Sequence, residues 1–309
     1  MAKRLEGRAA VVTGAGRGIG RAIAELLAAE GASVVVNDVG AAVDGTGASR
    51  SVADEVVDAI RSRGGRAVAS YESVADFRAA ERIVATAVAE FGAIDVLVNN
   101  AGILRDRMLF NMSEEEWDAV VAVHLKGTFN CTRHAAVHMR GQRRGRIISM
   151  SSTSGVFGNS GQANYGAAKD GIAGLTRVVA RDLGRYGITV NAVCPAAATR
   201  MTATVPQSAR DARAARGVAS PGGERSARLA HMGPENVAPW VVYLATDAAR
   251  HVNGQTFLVM GGMIALLDHP APVRTIQKDG RWTPEEIALL FPRTLGMELP
   301  NPAPRREAP

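Results

Sequence analysis

Ala9-Ala10-Val11-Val12-Thr13-Gly14-Ala15-Gly16-Arg17-Gly18-Ile19-Gly20 decides the fold of this chain. A short apolar run passes directly into a glycine-rich turn, and Ile23, Leu26 and Leu27 then recur at helical spacing as far as Gly31. Strand, glycine turn and helix in that order is the context in which such a loop holds a phosphate. Gly14, Gly18 and Gly20 allow a tight turn, a close approach to a pyrophosphate and the seating of the helix on the sheet. The helix N-terminus then faces the anion. The next run, Ser33-Val34-Val35-Val36-Asn37, delivers Asp38 eighteen residues after Gly20. A carboxylate there accepts hydrogen bonds from an adenosine ribose diol and repels a 2′-phosphate, so NAD is expected over NADP. Arg17 is the counter-argument, because a cation in this loop suits a 2′-phosphate.

Working outward, a loop rich in Gly, Ala and Asp (residues 40–49) precedes a helix with Val52, Val56 and Ile60 on one face. That helix stops at Gly64-Gly65, before a third strand over 66–71. Ser73 and Val74 follow it, where an adenine ring would lie. A helix over 77–91 leads to Ile94-Asp95-Val96-Leu97-Val98 and then Asn99-Asn100-Ala101-Gly102. This alternation predicts an α/β fold: a Rossmann-type, doubly wound parallel sheet of about seven strands with helices on both faces. A single domain is expected over residues 1–265.

The second half carries the chemistry. Ser113-Glu114-Glu115-Glu116 reads as a capping box that opens a long helix with Trp117, Val120, Val121 and Leu125 on its buried face, and this helix carries His124. A strand over 146–150 ends at Ser151-Ser152, and glycines 155, 158 and 161 mark a loop. Tyr165-Gly166-Ala167-Ala168-Lys169 follows. Four residues make about one helical turn, which stacks the phenol and the ammonium on one face. A phenol titrates near 10 in isolation, and a neighbouring cation favours its ionised form. A sixth strand over 189–193 is expected to break at Pro195, and a seventh over 256–260 to close at Gly261-Gly262. Ligands of such sheets gather beyond the C-terminal strand ends, where Ser152 and the loop after Asn99 fall.

Composition agrees with an ordinary globule: 309 residues, 47% of them hydrophobic, with a net charge of +6 carried mostly by arginine. The lysines are Lys3, Lys126, Lys169 and Lys278. No apolar run approaches the roughly 20 residues of a membrane span, and no secretory segment opens the chain. Cys131 and Cys194 have neither disulfide-framework nor metal spacing, so no metal and a cytoplasmic setting are expected. The basic balance alone would suit nucleic acid, but no nucleic-acid motif accompanies it.

Taken together, Thr13-Gly-x-x-x-Gly-x-Gly, Asn99-Asn-Ala-Gly, Ser152 and Tyr165-x-x-x-Lys169 resemble the short-chain dehydrogenase/reductase family over residues 5 to about 265. Val36-Asn37-Asp38-Val39-Gly40, Arg63-Gly64-Gly65 and the run from Gly102 through Arg105 and Asp106 to Arg107 add a closer likeness. So do His124-Leu125, Gly161-Gln162-Ala163-Asn164-Tyr165 and Arg200-Met201-Thr202. These are similar to the (3R)-hydroxyacyl-CoA dehydrogenase domains of type 2 peroxisomal multifunctional enzymes. The resemblance implies an NAD-dependent oxidoreductase that interconverts a secondary alcohol and a ketone on a 3-hydroxyacyl-CoA or a steroid-like acyl thioester. It implies that Tyr165 transfers the proton, that Lys169 lowers the phenol pKa and holds the nicotinamide ribose, and that Ser152 hydrogen-bonds the substrate oxygen. Cofactor contacts are implied for Gly14, Arg17, Gly18, Ile19, Gly20, Asp38, Ser73, Val74, Ala101 and Gly102. Asn99 would meet the adenosine side, and Val193 and Thr199 would lie near the nicotinamide.

Two positions depart from the family pattern. Pro195-Ala196 replaces the usual Pro-Gly, which alters the spacing to Thr199. His124 replaces an Asn that supports a water-linked proton relay; a histidine donates, accepts and titrates near neutrality, and so can fill the relay. The alternative is a packed ring that satisfies a backbone carbonyl. Residues 204–233 fall where the family keeps a substrate lid, and Arg210, Arg213, Arg216, Arg225 and Arg228, like Arg105 and Arg107, are candidates to face a CoA phosphate. Beyond residue 265 a linker leads to the capping box Thr283-Pro284-Glu285-Glu286 and a short helix over 284–291, with a disordered end over 300–309. Trp282, Leu289, Leu290 and Phe291 require cover, expected at the active-site mouth or on another subunit of a homodimer or homotetramer. A 3-oxoacyl-carrier-protein reductase and a hydroxysteroid dehydrogenase share the scaffold. A non-catalytic dinucleotide sensor is disfavoured, because such proteins usually lose the Tyr or the Lys.

Overall fold

In the computed structural model, which describes residues 3–197 and 232–302, the apolar runs become strands. They are β1 (Ala9–Thr13), β2 (Ser33–Asn37), β3 (Arg66–Ser70), β4 (Val96–Asn99), β5 (Gly145–Met150), β6 (Ile188–Ala196), β7 (Thr256–Met260) and β8 (Met263–Leu267). They form one sheet in the order β3-β2-β1-β4-β5-β6-β7-β8. β1 to β7 pair in parallel, and β8 returns antiparallel on β7 with Thr256 opposite Leu267. The direction of winding reverses between β1 and β4, which opens a crevice at their C-terminal ends.

Two expectations for the sheet are corrected. The seven expected parallel strands are present, but an eighth, antiparallel strand joins them, because Gly261-Gly262 does not close the sheet. That pair forms the tight turn of a hairpin, with φ +55° at Gly261, which glycine adopts without strain. Nor does β6 break at Pro195: it runs to Ala196, with Pro195 opposite Val259. Pairing with β5 has already ended at Val193, so a residue without an N–H is tolerated there.

The helices are α1 (Gly18–Ala29), α2 (Ser51–Ser62), α3 (Phe77–Phe91), α4 (Glu114–Val121), α5 (Gly127–Gln142), α6 (Thr153–Val156), α7 (Ala163–Leu183), α8 (Ala238–Ala245) and α9 (Pro284–Leu290). Ile23 and Leu27 of α1, Val56 and Ile60 of α2, and Val241 and Leu244 of α8 build the core on one face of the sheet. Ile83 and Val84 of α3, Met139 of α5 and Leu183 of α7 build it on the other. Each fully buried side chain of this size stabilises the fold by roughly 1.5–3 kcal/mol. Cover on both faces is also why β1, β2 and β4 read as unbroken apolar runs rather than alternating ones.

The helix expected to start at Ser113 is capped as read. The Ser113 hydroxyl accepts from the Glu116 N–H at 3.1 Å, and the Glu116 carboxylate accepts from the Ser113 N–H at 3.0 Å. It is not continuous, however: a π-helical turn, Ala122–Lys126, separates α4 from α5 and contains His124. Such turns widen the backbone ladder and often mark functional sites.

The chain divides into two compact units, Met1–Leu267 and Asp268–Pro309. The boundary follows β8 rather than residue 265. In the second unit Thr283 and Glu286 cap α9 reciprocally, Lys278 pairs with Glu286, and Leu289 and Phe291 are exposed. Among the described residues no helix is long and apolar enough to cross a membrane. Most of the expected lid over 204–233, Thr199, Arg200-Met201-Thr202, the five arginines from 210 to 228 and residues 303–309 of the tail lie outside the described residues.

Candidate active site

A cleft of about 420 Å³ opens beyond the ends of β1, β2 and β4. Its floor is the glycine turn. Gly14 lies at φ +63° and Gly18 at φ +54°, and a Cβ on Gly14 would stand 2.7 Å from the Ala101 Cα. A side chain at Gly20 would collide with the Gly14 carbonyl, and one at Gly16 with Val52. The loop is pinned from beneath: the Thr13 hydroxyl accepts from the Asn100 and Ala101 N–H groups at 3.0 and 3.1 Å. The Asn100 amide donates to the carbonyls of Thr13 and Gly14, both at 2.9 Å. Arg17, Ile19, Ser73, Val74, Ala101 and Gly102 line the same cleft.

Asp38 stands at the end of β2 with both carboxylate oxygens engaged. One accepts from the Gly16 N–H at 2.8 Å, the other from the Gly40 N–H at 2.7 Å. Each oxygen keeps a further lone pair for a hydroxyl donor. A cradle that leaves no room for a Cβ and a fixed carboxylate at its rim fit the pyrophosphate and ribose of a dinucleotide.

Asn99 is placed otherwise than expected, whereas Val193 lies beside the strand end that carries Ser152, its carbonyl accepting from the Ser151 N–H at 2.8 Å. The Asn99 side chain is buried under the sheet end, where it donates to the hydroxyls of Thr132 and Ser149 at 3.0 and 3.1 Å, and it is its neighbour Asn100 that lines the cleft. Strand alternation turns adjacent residues to opposite faces, which decides between the two asparagines. Val193 is fully buried in the core on the α1 side of the sheet.

Ser152, Tyr165, Lys169 and His124 form a second group, joined to the cleft where His124 meets its lining residues Gly102 and Ile103. Ser152 caps α6: its oxygen accepts from the Ser154 N–H at 3.1 Å, which leaves the hydroxyl proton to donate to the Tyr165 phenol. Asn164 fixes the start of the helix that carries Tyr165. It is fully buried, its oxygen accepts from the Tyr165 N–H at 2.7 Å, and its amide donates to the carbonyls of Arg105 and Glu116. Lys169 lies one turn on, buried, with Nζ donating to the Met150 carbonyl at 2.6 Å and 5.5 Å from the Tyr165 ring centroid.

Burial sets the resting protonation of this group. It pushes Tyr165 up to about 12, although the hydrogen bond from Ser152 pulls the other way, and it pushes Lys169 down to about 7. The expected lowering of the phenol by Lys169 is therefore reversed in the resting geometry, because Nζ is turned to the Met150 carbonyl and desolvation outweighs its field.

His124 is corrected more sharply. Burial, reinforced by the charge of Lys169, lowers it to about 3, so it is neutral near pH 7 rather than titrating there. Its Nε2 lies 2.8 Å from the Ile103 carbonyl and 3.1 Å from the Ile103 N–H. One tautomer donates to the former and the other accepts from the latter, and Nδ1 has no partner among the described residues. The ring meets Tyr165 edge-on at 5.1 Å, and a side chain at Gly102 would collide with it. His124 thus forms the wall between the cleft and the phenol. Arg105 and Arg107, candidates for a CoA phosphate, already pair with Glu115 and Glu116 at 2.8 and 2.9 Å.

The family model for short chain dehydrogenases matches residues 8–210. The chain belongs to the short-chain dehydrogenase family. It is accordingly an oxidoreductase acting on CH–OH groups with NAD or NADP. Hydroxyacyl-CoA dehydrogenase ChsB1 of Mycobacterium tuberculosis is 45% identical over 92% of this chain and 87% of its own length. Peroxisomal multifunctional enzyme type 2 of Mus musculus is 43% identical over 92% of this chain but 36% of its own length. Among solved structures, a short chain dehydrogenase from Mycobacterium avium superposes with a TM-score of 0.80 at 46% identity, covering 99% of this chain and 98% of that one.

Sequence reasoning passed over Asn164, the Met150 carbonyl, Thr13 and Asn100 as working parts of this short-chain dehydrogenase. Asn164 had a signal, a polar residue just before the helical Tyr. The Met150 carbonyl had none, since every residue carries one.

Proposed function

We propose that this chain is an NAD-dependent dehydrogenase of a 3-hydroxyacyl-CoA, with steroid-like acyl thioesters within its range. The observation that carries the reading is the grouping of Ser152, Tyr165 and Lys169 around His124, whose ring packs against Gly102 and Ile103 of the cleft in which the Asp38 carboxylate stands. That carboxylate supports NAD over NADP, with Arg17 in the same cleft as the opposing signal. The acyl-CoA class is supported by the likeness to hydroxyacyl-CoA dehydrogenase ChsB1.

When bound, the dinucleotide supplies the hydride acceptor. Gly14, Gly18 and Gly20 cradle its phosphates and Asp38 its ribose diol. Ser152 presents its hydroxyl to the substrate oxygen and sets its distance from the reacting carbon. Tyr165 takes the alcohol proton in oxidation and returns it in reduction. Only the charged form of Lys169 draws the phenol towards ionisation, and a pKa of about 7 leaves that form substantial at neutral pH. His124, neutral throughout this range, supports the relay by donating or accepting without changing charge. The buried, unpaired thiols suit a reducing, cytoplasmic setting, and a homodimer or homotetramer is the assembly proposed.

The test is a cofactor-coupled screen of acyl-CoA chain lengths and steroid-CoA esters with NAD and NADP, alongside Tyr165→Phe. Turnover of CoA esters with NAD, lost in a Tyr165→Phe protein that still binds NADH, is the expected result. Turnover of free alcohols only refutes the substrate class. A second reading has its own support: 3-oxoacyl-[acyl-carrier-protein] reductase FabG of Staphylococcus aureus is 42% identical over 83% of this chain and 98% of its own. Preferential NADPH-driven reduction of a 3-oxoacyl carrier-protein thioester would establish it.

A further inference from the structure

The loop between β2 and α2 does not lie along the surface beside its own strand. Its root is pinched: the Ser49 N–H donates to the Val39 carbonyl at 3.0 Å, and Gly40, at φ +72°, faces the Ser49 backbone so closely that a Cβ would collide with it. Inside the root the chain folds on itself, with the Gly45 N–H on the Ala42 carbonyl at 3.1 Å and the Ala42 N–H on the Thr46 carbonyl at 2.8 Å. A compact loop with adjoining ends and its own internal bonds is an Ω-loop, a form that recurs at functional sites.

Its tip is fastened to a different part of the sheet. The Leu104 N–H donates to the Val43 carbonyl at 2.9 Å, and the Arg105 Nε donates to the Asp44 carbonyl at 3.0 Å. The Arg105 guanidinium is held in turn by Glu115 at 2.8 Å. A Cβ on Gly45 would stand 3.1 Å from the Ile103 Cδ1, so the loop packs directly on the segment after β4. In the sheet β1 lies between β2 and β4. A connection from the end of β2 to the segment after β4 must therefore pass above the end of β1, where the glycine turn opens. Ala41, Ala42, Val43 and Gly45 accordingly line the cleft from the side opposite Gly14 and Gly20.

We infer that residues 40–48 are a strap closed over the dinucleotide cleft and latched by Arg105, which opens to admit and to release the cofactor. The inference rests on the reading of this cleft as the NAD site. Arg105 is a positioning residue: its bonds go to the Asp44 carbonyl and to Glu115. The root of the strap is tied to the site as well, since Gly40 donates to the same Asp38 carboxylate that is to receive the ribose. A gate whose open fraction is the same with the cleft empty or filled scales entry and exit alike, whereas loss of an ordinary cofactor contact accelerates exit alone.

Stopped-flow measurement of NADH binding and displacement, by its fluorescence, separates the two. Arg105→Ala removes the latch, and Gly45→Val forces a β-branched residue into φ +90° against Ile103 and lifts the tip. In either variant, with wild-type thermal unfolding as the control for folding, the association and dissociation rate constants are both expected to rise about tenfold, with the equilibrium constant moving much less. Arg105→Lys, which keeps a cation for Glu115, is expected to fall between. A faster dissociation with unchanged association, or no change in either rate, overturns the strap while leaving the cofactor site intact. A wild-type protein that binds no NADH overturns both.

Discussion

His124→Asn tests the buried, neutral imidazole directly. The ring is 2% exposed and its pKa is lowered from 6.5 to about 3. A folded-state value below the unfolded one means that the unfolded chain binds a proton, between pH 6.5 and 3, that the native protein refuses. Stability from this residue is therefore complete above the unfolded pKa and falls as the pH drops through that window, by about 1.4 kcal/mol per unit. Between pH 7 and 4.5 the loss integrates to roughly 2–3 kcal/mol. Asparagine does not titrate and loses none of it. At pH 7 the variant is expected to be the less stable, because it leaves a cavity beside Tyr165 and drops the Ile103 bond. On acidification to pH 4.5 the gap closes by roughly 2–3 kcal/mol. Urea unfolding of both proteins at half-unit pH steps measures this, with an unchanged slope m confirming that the two-state comparison holds. Parallel stability curves over that range would refute the neutral assignment and return His124 to the residues that titrate near pH 7.

Lys169→Met follows the same logic with the window moved. Its burial cost is complete below pH 7 and fades as the pH rises towards 10.5, so the stability of the variant relative to wild type should decline by about 4 kcal/mol between pH 6 and 10 in denaturant titrations. Asp38→Ala leaves the Gly16 and Gly40 N–H groups without their carboxylate; kcat/KM with NAD should fall at least tenfold while that with NADP falls less or rises, read from initial rates with both cofactors. Gly102→Ala drives a methyl into the His124 ring, and a loss of about 1–3 kcal/mol in unfolding free energy is expected, with an inactive or weakly active enzyme. Removing residues 270–309 should change the assembly state in analytical ultracentrifugation or the KM for the acyl substrate; an unchanged value of both would dispose of a role for the exposed apolar side chains of α9.

The fold was legible because its signals are local and repeat: apolar runs buried on both faces, glycine stops and capping boxes each fix one element, and the βα alternation leaves few topologies. What the sequence misread depends on neighbours it does not print. Pro195 looks like the end of a strand until β5 is seen to stop at Met150, opposite Val193, and Gly261-Gly262 looks like a terminus until Met263–Leu267 folds back on β7. The site divides in the same way. Spacing along one helix brings Tyr165 and Lys169 together, and the distance from the glycine turn places Asp38, so these were readable. The two asparagines at 99 and 100 differ only in which face of the strand end they occupy, a parity that one residue of register inverts. Protonation was the least readable, because it is a sum over surroundings. The same Tyr-x-x-x-Lys spacing gives a lowered phenol on an open helix face and a raised one here, where desolvation dominates and Nζ is committed to the Met150 carbonyl.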